Sequence, residues 1–243
     1  MEFSIRRVNA LFKKEIKDFA KNMNVSIMCA LPILISLVFS NVLRKNPSGT
    51  AMNKTAVLTM CVGLNLVMVA SFVIGMLIAE EKEKNTLRTL MLSAVSPLEF
   101  LAGKACITFL VSEVNNLVVF FIIGIDKKYF ATYMLITTLV VLSMILIGSV
   151  MGVFASNQMA MSVVGMPVIA VFWILPLLSK INKSFKRIAE FLPNYNMDIM
   201  LNKLFKGETI GSTSAYNLAV ILGWIIIAAI AFAYTYNKRG LDR

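Results

Sequence analysis

The chain has 243 residues, of which 58% are hydrophobic, and its mean hydropathy is +0.77. Soluble domains contain roughly 45–50% apolar residues, so this composition excludes a water-soluble protein. The formal net charge of +11 would fit a nucleic-acid partner in a polar chain, but in such an apolar chain it indicates membrane topology and contact with anionic lipid.

Residues 1–22 predict an amphipathic helix that lies in the membrane interface. Apolar side chains recur there at helical spacing, at Ile5, Val8, Phe12, Ile16 and Phe19. Cations occupy the other positions and would lie among anionic head groups; they are Arg6, Arg7, Lys13, Lys14, Lys17 and Lys21. The alternative is a soluble tail that serves topology alone.

Six apolar stretches follow, each long enough to cross about 30 Å of hydrocarbon as a helix. They cover residues 24–43, 55–79, 101–125, 130–154, 159–178 and 216–236. Runs of this length are helices rather than barrel strands, so the predicted fold class is an all-α membrane protein. Six cations precede the first span and three lie in the next loop, which predicts cytoplasmic N- and C-termini. Over the whole chain the bias is weaker, because the connection at 179–215 is rich in lysine.

Residues 80–99, between the second and third spans, form the most distinctive polar segment. Glu80, Glu81 and Glu83 are expected at the start of a short cytoplasmic helix, where the helix dipole favours acids. Its apolar stripe is predicted to comprise Leu87, Leu90, Met91 and Ala94, beside Arg88 and Thr89. Such a helix, held between two spans, could transmit a push from a soluble partner. A solvated loop is the alternative.

The third span is expected to begin at a capping box. Ser96 and Glu99 have the required spacing, with Pro97 at the first helical position. Lys104 lies one turn further on, from where it can extend back to the lipid head groups.

Glu113 lies near the middle of the third span, where a charged carboxylate costs about 3 kcal/mol unless it is paired or neutralised. We therefore expect it to face protein or water. The neighbouring polar residues predict an intramembrane cluster of Glu113, Ser112, Asn115 and Asn116, meeting Asn65 or Ser71. Two roles stay open: a packing or dimer-interface site, and a substrate-path or proton-linked site.

Two later features complete the pattern. Gly148 and Gly152 have the spacing that allows spanning helices to approach closely. The connection at 179–215 predicts two short amphipathic helices on the external membrane face, separated by a turn at Pro193 and ended near Gly207. An ordinary surface loop and a specialised lid are both compatible with this pattern.

The segment after the second span resembles the signature of the type-2 ABC transporter permease family. The family has an acidic pair, a Lys or Arg, Thr-Leu, a further Leu, Ser-Pro and then Gly-Lys; the corresponding residues here are Glu80, Glu81, Lys82, Glu83, Thr86, Leu87, Leu90, Ser96, Pro97, Gly103 and Lys104. Asn85 stands where the family often has Gly. Two later stretches are also similar to the family, Leu192-Pro193-Asn194-Tyr195 and Leu204-Phe205-Lys206-Gly207.

The resemblance implies the permease subunit of an ATP-binding cassette exporter, paired with a second permease as a homodimer or heterodimer. ATP and Mg would be bound by a separate cytoplasmic ATP-binding cassette subunit, and the sequence has no phosphate-binding loop of its own. The implied coupling residues are Glu80, Glu81, Glu83, Lys84, Thr86, Leu87, Arg88, Leu90 and Met91. The implied external gate comprises Phe185, Ile188, Leu192, Pro193 and Tyr195. The substrate would be amphipathic or hydrophobic: a peptide, a drug or a lipid.

Two other function classes are alternatives. An ion-coupled secondary transporter could use Glu113 as its proton carrier. An intramembrane enzyme is disfavoured, because the spans offer a single acid and the chain has no histidine. The sequence therefore predicts no catalytic, cofactor-binding or metal site in this chain.

Overall fold

A computed structural model of the chain describes residues 5–45, 53–84, 86, 96–208, 211 and 214–239. These residues are almost entirely helical and include no strand. Six helices are long and apolar enough to cross a membrane: Met23–Leu43, Lys54–Glu83, Leu98–Ile123, Lys127–Phe154, Gln158–Leu178 and Ala215–Tyr236. The predicted fold class and the six spans are confirmed.

Shorter elements surround the spans. A helix at Ile5–Lys21 precedes the first span, and helices Lys183–Ala189 and Pro193–Phe205 lie between the fifth and sixth spans. The second of these helices is followed by Gly207, whose positive φ of 77° ends it. Two spans contain π-helical turns, at Leu66–Val73 and Ala170–Ile174.

The second span forms the centre of the bundle. Its most apolar stretch is 94% buried, against 17% for the fifth and the sixth spans. It contacts the first, third and fourth spans, as expected for a helix that is apolar on all sides. The bundle has two ends, which we call the near end, where the Ile5–Lys21 helix packs on the third span, and the far end, where the rings of Tyr129 and Phe205 pack edge to face.

Close backbone contact joins the second and fourth spans. A Cβ atom at Gly148 would collide with the backbone carbonyl of Ser71, and one at Gly152 would lie 2.7 Å from the carbonyl oxygen of Gly75. Ser71 belongs to the π-helical turn of the second span. The two glycines therefore permit the contact that their spacing predicts.

Replacing Gly148 by Ala should lower stability by about 1–3 kcal/mol, because the added methyl group meets rigid backbone. Gly223→Ala in the sixth span is the matched control, since a Cβ there meets nothing within 4 Å. Thermal unfolding of the purified protein in detergent measures both. An equal effect of the two substitutions would contradict the close-contact interpretation.

Candidate functional site

The second span ends in a charged turn at the near end of the bundle. Its helix continues through Glu83, so the acids end this helix and do not start the next one, which corrects the sequence prediction. Acids at a helix C-terminus oppose the helix dipole and therefore need compensating groups. We call the residues Glu80, Glu81, Lys82 and Glu83 the Glu80–Glu83 turn.

Glu81 is buried, with 5% of its surface exposed, and it is the centre of an ion network. Its carboxylate accepts from Lys14 Nζ at 2.6 Å and from Lys104 Nζ at 3.1 Å. Lys104 also donates to Glu15 at 2.7 Å, and Thr86 donates to Glu81 through its hydroxyl. The network thus joins the N-terminal helix, the second span and the third span.

Lys104 does not extend to head groups, as the sequence indicated it could. Only 3% of its side chain is exposed, and both of its ion-pair partners are equally covered, Glu15 at 3% and Glu81 at 6%. A buried ammonium group needs counter-charges, and two carboxylates supply them before the side chain could reach lipid. Burial raises the pKa of Glu15, while the positive charge of Lys104 opposes that rise.

The other members of the turn bind further elements. Glu80 accepts from the Asn22 side chain at 3.1 Å, between the N-terminal helix and the first span. Lys82 donates to the carbonyl of Val153 at 2.7 Å, near the end of the fourth span. Glu83 accepts from the backbone N–H of Gln158 at 3.1 Å, where the fifth span begins. Four consecutive residues therefore connect the second span to most of the near end.

The N-terminal helix is held at a second point. Arg7 donates to Glu99 Oε1 at 2.8 Å and 3.0 Å. The other oxygen of Glu99 accepts from the backbone of Ser96, and the Ser96 hydroxyl accepts in return from the backbone of Glu99. The predicted capping box is present, and it also orients the carboxylate that binds Arg7.

Replacing Lys104 by Met should destabilise the near end by about 3–5 kcal/mol, because it leaves the buried Glu15 carboxylate without its ion-pair partner. The double variant Lys104→Met/Glu15→Gln should recover most of the loss, since Glu81 then keeps Lys14 and the charges balance again. Thermal unfolding in detergent compares the stability of the single and the double variant. A double variant no more stable than the single one would show that the pairing does not hold the near end together.

The same single variant should show a characteristic pH dependence. Without Lys104 only the weaker effect of Lys14 opposes the burial and the Glu81 charge that raise the pKa of Glu15, so the folded state binds a proton more tightly than the unfolded state. Stability of Lys104→Met should therefore rise as pH falls through the folded pKa of Glu15, which burial holds above its unfolded value. A deficit that stays constant as pH falls from neutral towards the unfolded pKa of Glu15 would exclude Glu15 as its source.

An amide cluster lies inside the bundle, deeper than the Glu80–Glu83 turn. The Asn65 side chain donates to Asn116 Oδ1 at 2.8 Å and to the carbonyl of Ser112 at 3.0 Å. Asn115 donates to Asn65 Oδ1 at 3.1 Å and to the carbonyl of Cys29 at 2.8 Å. These bonds hold the first three spans together.

Glu113 is not part of this amide cluster, which corrects the predicted grouping. Residues 112, 115 and 116 share one face of the helix, whereas residue 113 lies about 100° around it. Its carboxylate lies beside Thr138 of the fourth span. Among the described residues neither of its oxygens makes a hydrogen bond.

Replacing Glu113 by Gln should leave assembly and transport intact, because the carboxylate has no bonds among the described residues to lose. Asn65→Leu is the contrasting variant, since it removes three hydrogen bonds of the amide cluster and should reduce stability by about 1–3 kcal/mol. Unfolding in detergent measures the stability of both variants, and a transport assay measures their activity. Normal assembly of Glu113→Gln with loss of transport would instead indicate a proton-linked role.

The structure separates the residues predicted for coupling. Glu81 is buried and engaged in ion pairs, whereas Glu83 and Lys84 are exposed. Leu87, Arg88, Leu90 and Met91 lie outside the described residues. The predicted gate residues are also divided, because Leu192, Pro193 and Tyr195 are buried while Phe185 and Ile188 are exposed. The coupling and gate roles stay predictions.

Sequence reasoning missed the ion-pair partners in the N-terminal helix, namely Arg7, Lys14 and Glu15. One signal was available: Glu15 lies between lysines in a helix that was interpreted as cationic, and Lys104 is a cation inside an apolar run. Each of these residues needs an opposite charge nearby. Glu15 and Lys104 are 89 positions apart in the chain, so the sequence alone did not predict that they pair.

Six apolar helices, two of which are joined to the N-terminal helix by a buried ion network, define a multi-pass helical membrane protein. The sequence model of the ABC-2 type transporter family matches residues 6–194, which is most of the chain. The chain belongs to this family. None of the curated proteins matches its sequence.

Proposed function

We propose that this chain is the permease subunit of an ATP-driven exporter whose energy comes from a separate ATP-binding cassette subunit. Membership of the ABC-2 type transporter family supports the permease role. The absence of a phosphate-binding loop from the sequence supports a separate ATPase. Two permease subunits, identical or different, would enclose the path of an amphipathic or hydrophobic substrate such as a peptide, a drug or a lipid.

The observation that carries the proposal is the set of contacts made by the Glu80–Glu83 turn. The segment predicted to contact the ATPase, residues 84–95, is continuous with this turn. Through Glu81 the turn is paired with the N-terminal helix and the third span, and through Lys82 and Glu83 it is bonded to the fourth and fifth spans. A displacement of the segment would therefore act on several spans together.

Buried ion pairs suit this role because separating them is costly. Pulling Glu81 away from Lys104 would leave two charges with 6% and 3% side-chain exposure in a poorly solvated site. The connected elements should consequently move as one body. Helix motions of this kind need a rigid connection between the site of force and the site of rearrangement.

The proposal places the near end in the cytoplasm, where the ATPase binds. The concentration of six cations before the first span supports this orientation. Lys84, whose side chain is 61% exposed, would then face the partner, while Lys128 of the far end, with 63% exposure, would face the cell exterior.

Cross-linking from these two lysine positions tests the proposal. With the exposed Cys106 replaced by Ala, Lys84→Cys should cross-link to an ATP-binding cassette protein in membranes of the source cell, and Lys128→Cys should not. The two sites have matched exposure, so a difference reflects location. Mass spectrometry identifies the cross-linked protein. Labelling of Lys84→Cys in intact cells by a membrane-impermeant maleimide would overturn both the orientation and the partner.

A further inference from the structure

An open groove lies at the far end of the bundle, between the end of the fifth span and the helix Pro193–Phe205. Its volume is about 710 Å³. Among the residues that the structure describes, five lysines line it: Lys180, Lys183, Lys186, Lys203 and Lys206. We call this feature the lysine groove.

The lysine groove carries a surplus of positive charge. Of the residues described around it, two carry carboxylates, Asp198 and Glu208. Asp198 is already engaged, because it pairs with Lys180 at 3.2 Å and accepts from Asn202. A concave surface with more ammonium than carboxylate groups attracts anions, and most strongly those with concentrated charge such as phosphate.

Apolar side chains lie directly beside the groove. Ile181, which lines it, is 84% exposed, and Phe185 and Ile188 are 37% and 57% exposed. Phe185 and Ile188 share one face of the helix Lys183–Ala189 by their i, i+3 spacing, and Ile181 precedes that helix, while Lys183 and Lys186 point away from the apolar face. An exposed apolar face beside clustered lysines is the pattern of a helix that rests on a lipid surface.

We propose that the lysine groove binds the phosphate group of an anionic phospholipid, whose acyl chains lie against Phe185 and Ile188. The helix would then sit at the boundary between head groups and hydrocarbon. Assignment of this lipid to the outer leaflet rests on the orientation given under the proposed function; the binding site itself does not depend on it.

The proposal also accounts for an imbalance in the sequence. In the proposed orientation the connection at 179–215 is external, where the topological bias disfavours lysine. Lysines that bind a ligand have a role in the folded protein that does not depend on topology. Lipid contact supplies that reason and uses the apolar face of the same helix.

Binding of phosphatidylglycerol to the purified permease in detergent, measured by native mass spectrometry, tests the site. The variant Lys183→Gln/Lys186→Gln should weaken binding roughly 10-fold or more, whereas phosphatidylcholine binding should stay unchanged. The control Lys127→Gln/Lys128→Gln removes two exposed lysines from the same end, outside the groove, and should bind phosphatidylglycerol as the wild type does. Equal affinity of the two variants would overturn the proposal.

A second arm separates a lipid from a free phosphate. Ile188→Ser should weaken phosphatidylglycerol binding several-fold, and millimolar inorganic phosphate should compete poorly with the lipid in the wild type. If phosphate competes fully and Ile188→Ser has no effect, the groove is a site for soluble phosphate and the lipid assignment is wrong. No ATPase is present in either arm, so failure here leaves the cross-linking result standing, and the reverse also holds.

Discussion

The near end of the bundle depends on the burial of one ammonium group. Lys104 lies in an apolar helix at 3% exposure, and it is stable there only because Glu15 and Glu81 approach it from two other elements. Because the carboxylate of Glu81 also binds Lys14, the charges around it balance. The end of the second span, and with it the start of residues 84–95, is thereby fixed by charge neutralisation as well as by packing.

The sequence predicted the features that depend on local properties. Span number follows from the length of apolar runs, and the capping box at Ser96 follows from a spacing of three residues. The end of the second span was harder to predict, because the apolar run stops at residue 79 while the helix continues to Glu83. A hydropathy profile places charged residues outside a span. It gives no information that Lys14 and Lys104 neutralise Glu81.

Glu113 shows the same limit within one helix. Polar residues that are adjacent in sequence were grouped together, although a helix turns by about 100° per residue. Asn115 and Asn116 face the second span and bond with Asn65, whereas Glu113 faces Thr138. The amide cluster was therefore predictable as a contact between the second and third spans, but the carboxylate was not separable from it without the bundle geometry.

The two ends of the bundle differ in how their cations are compensated more than in how many they carry. During insertion every lysine and arginine contributes to topology, and the nearly even numbers leave the first span to set the orientation. After folding, Arg7, Lys14 and Lys104 at the near end are each paired with a glutamate, whereas five lysines and two carboxylates among the described residues line one groove at the far end. Folding thus uses the charge of the near end to join helices, whereas the groove at the far end keeps a net positive charge, so cations that look alike in the sequence have different physical settings.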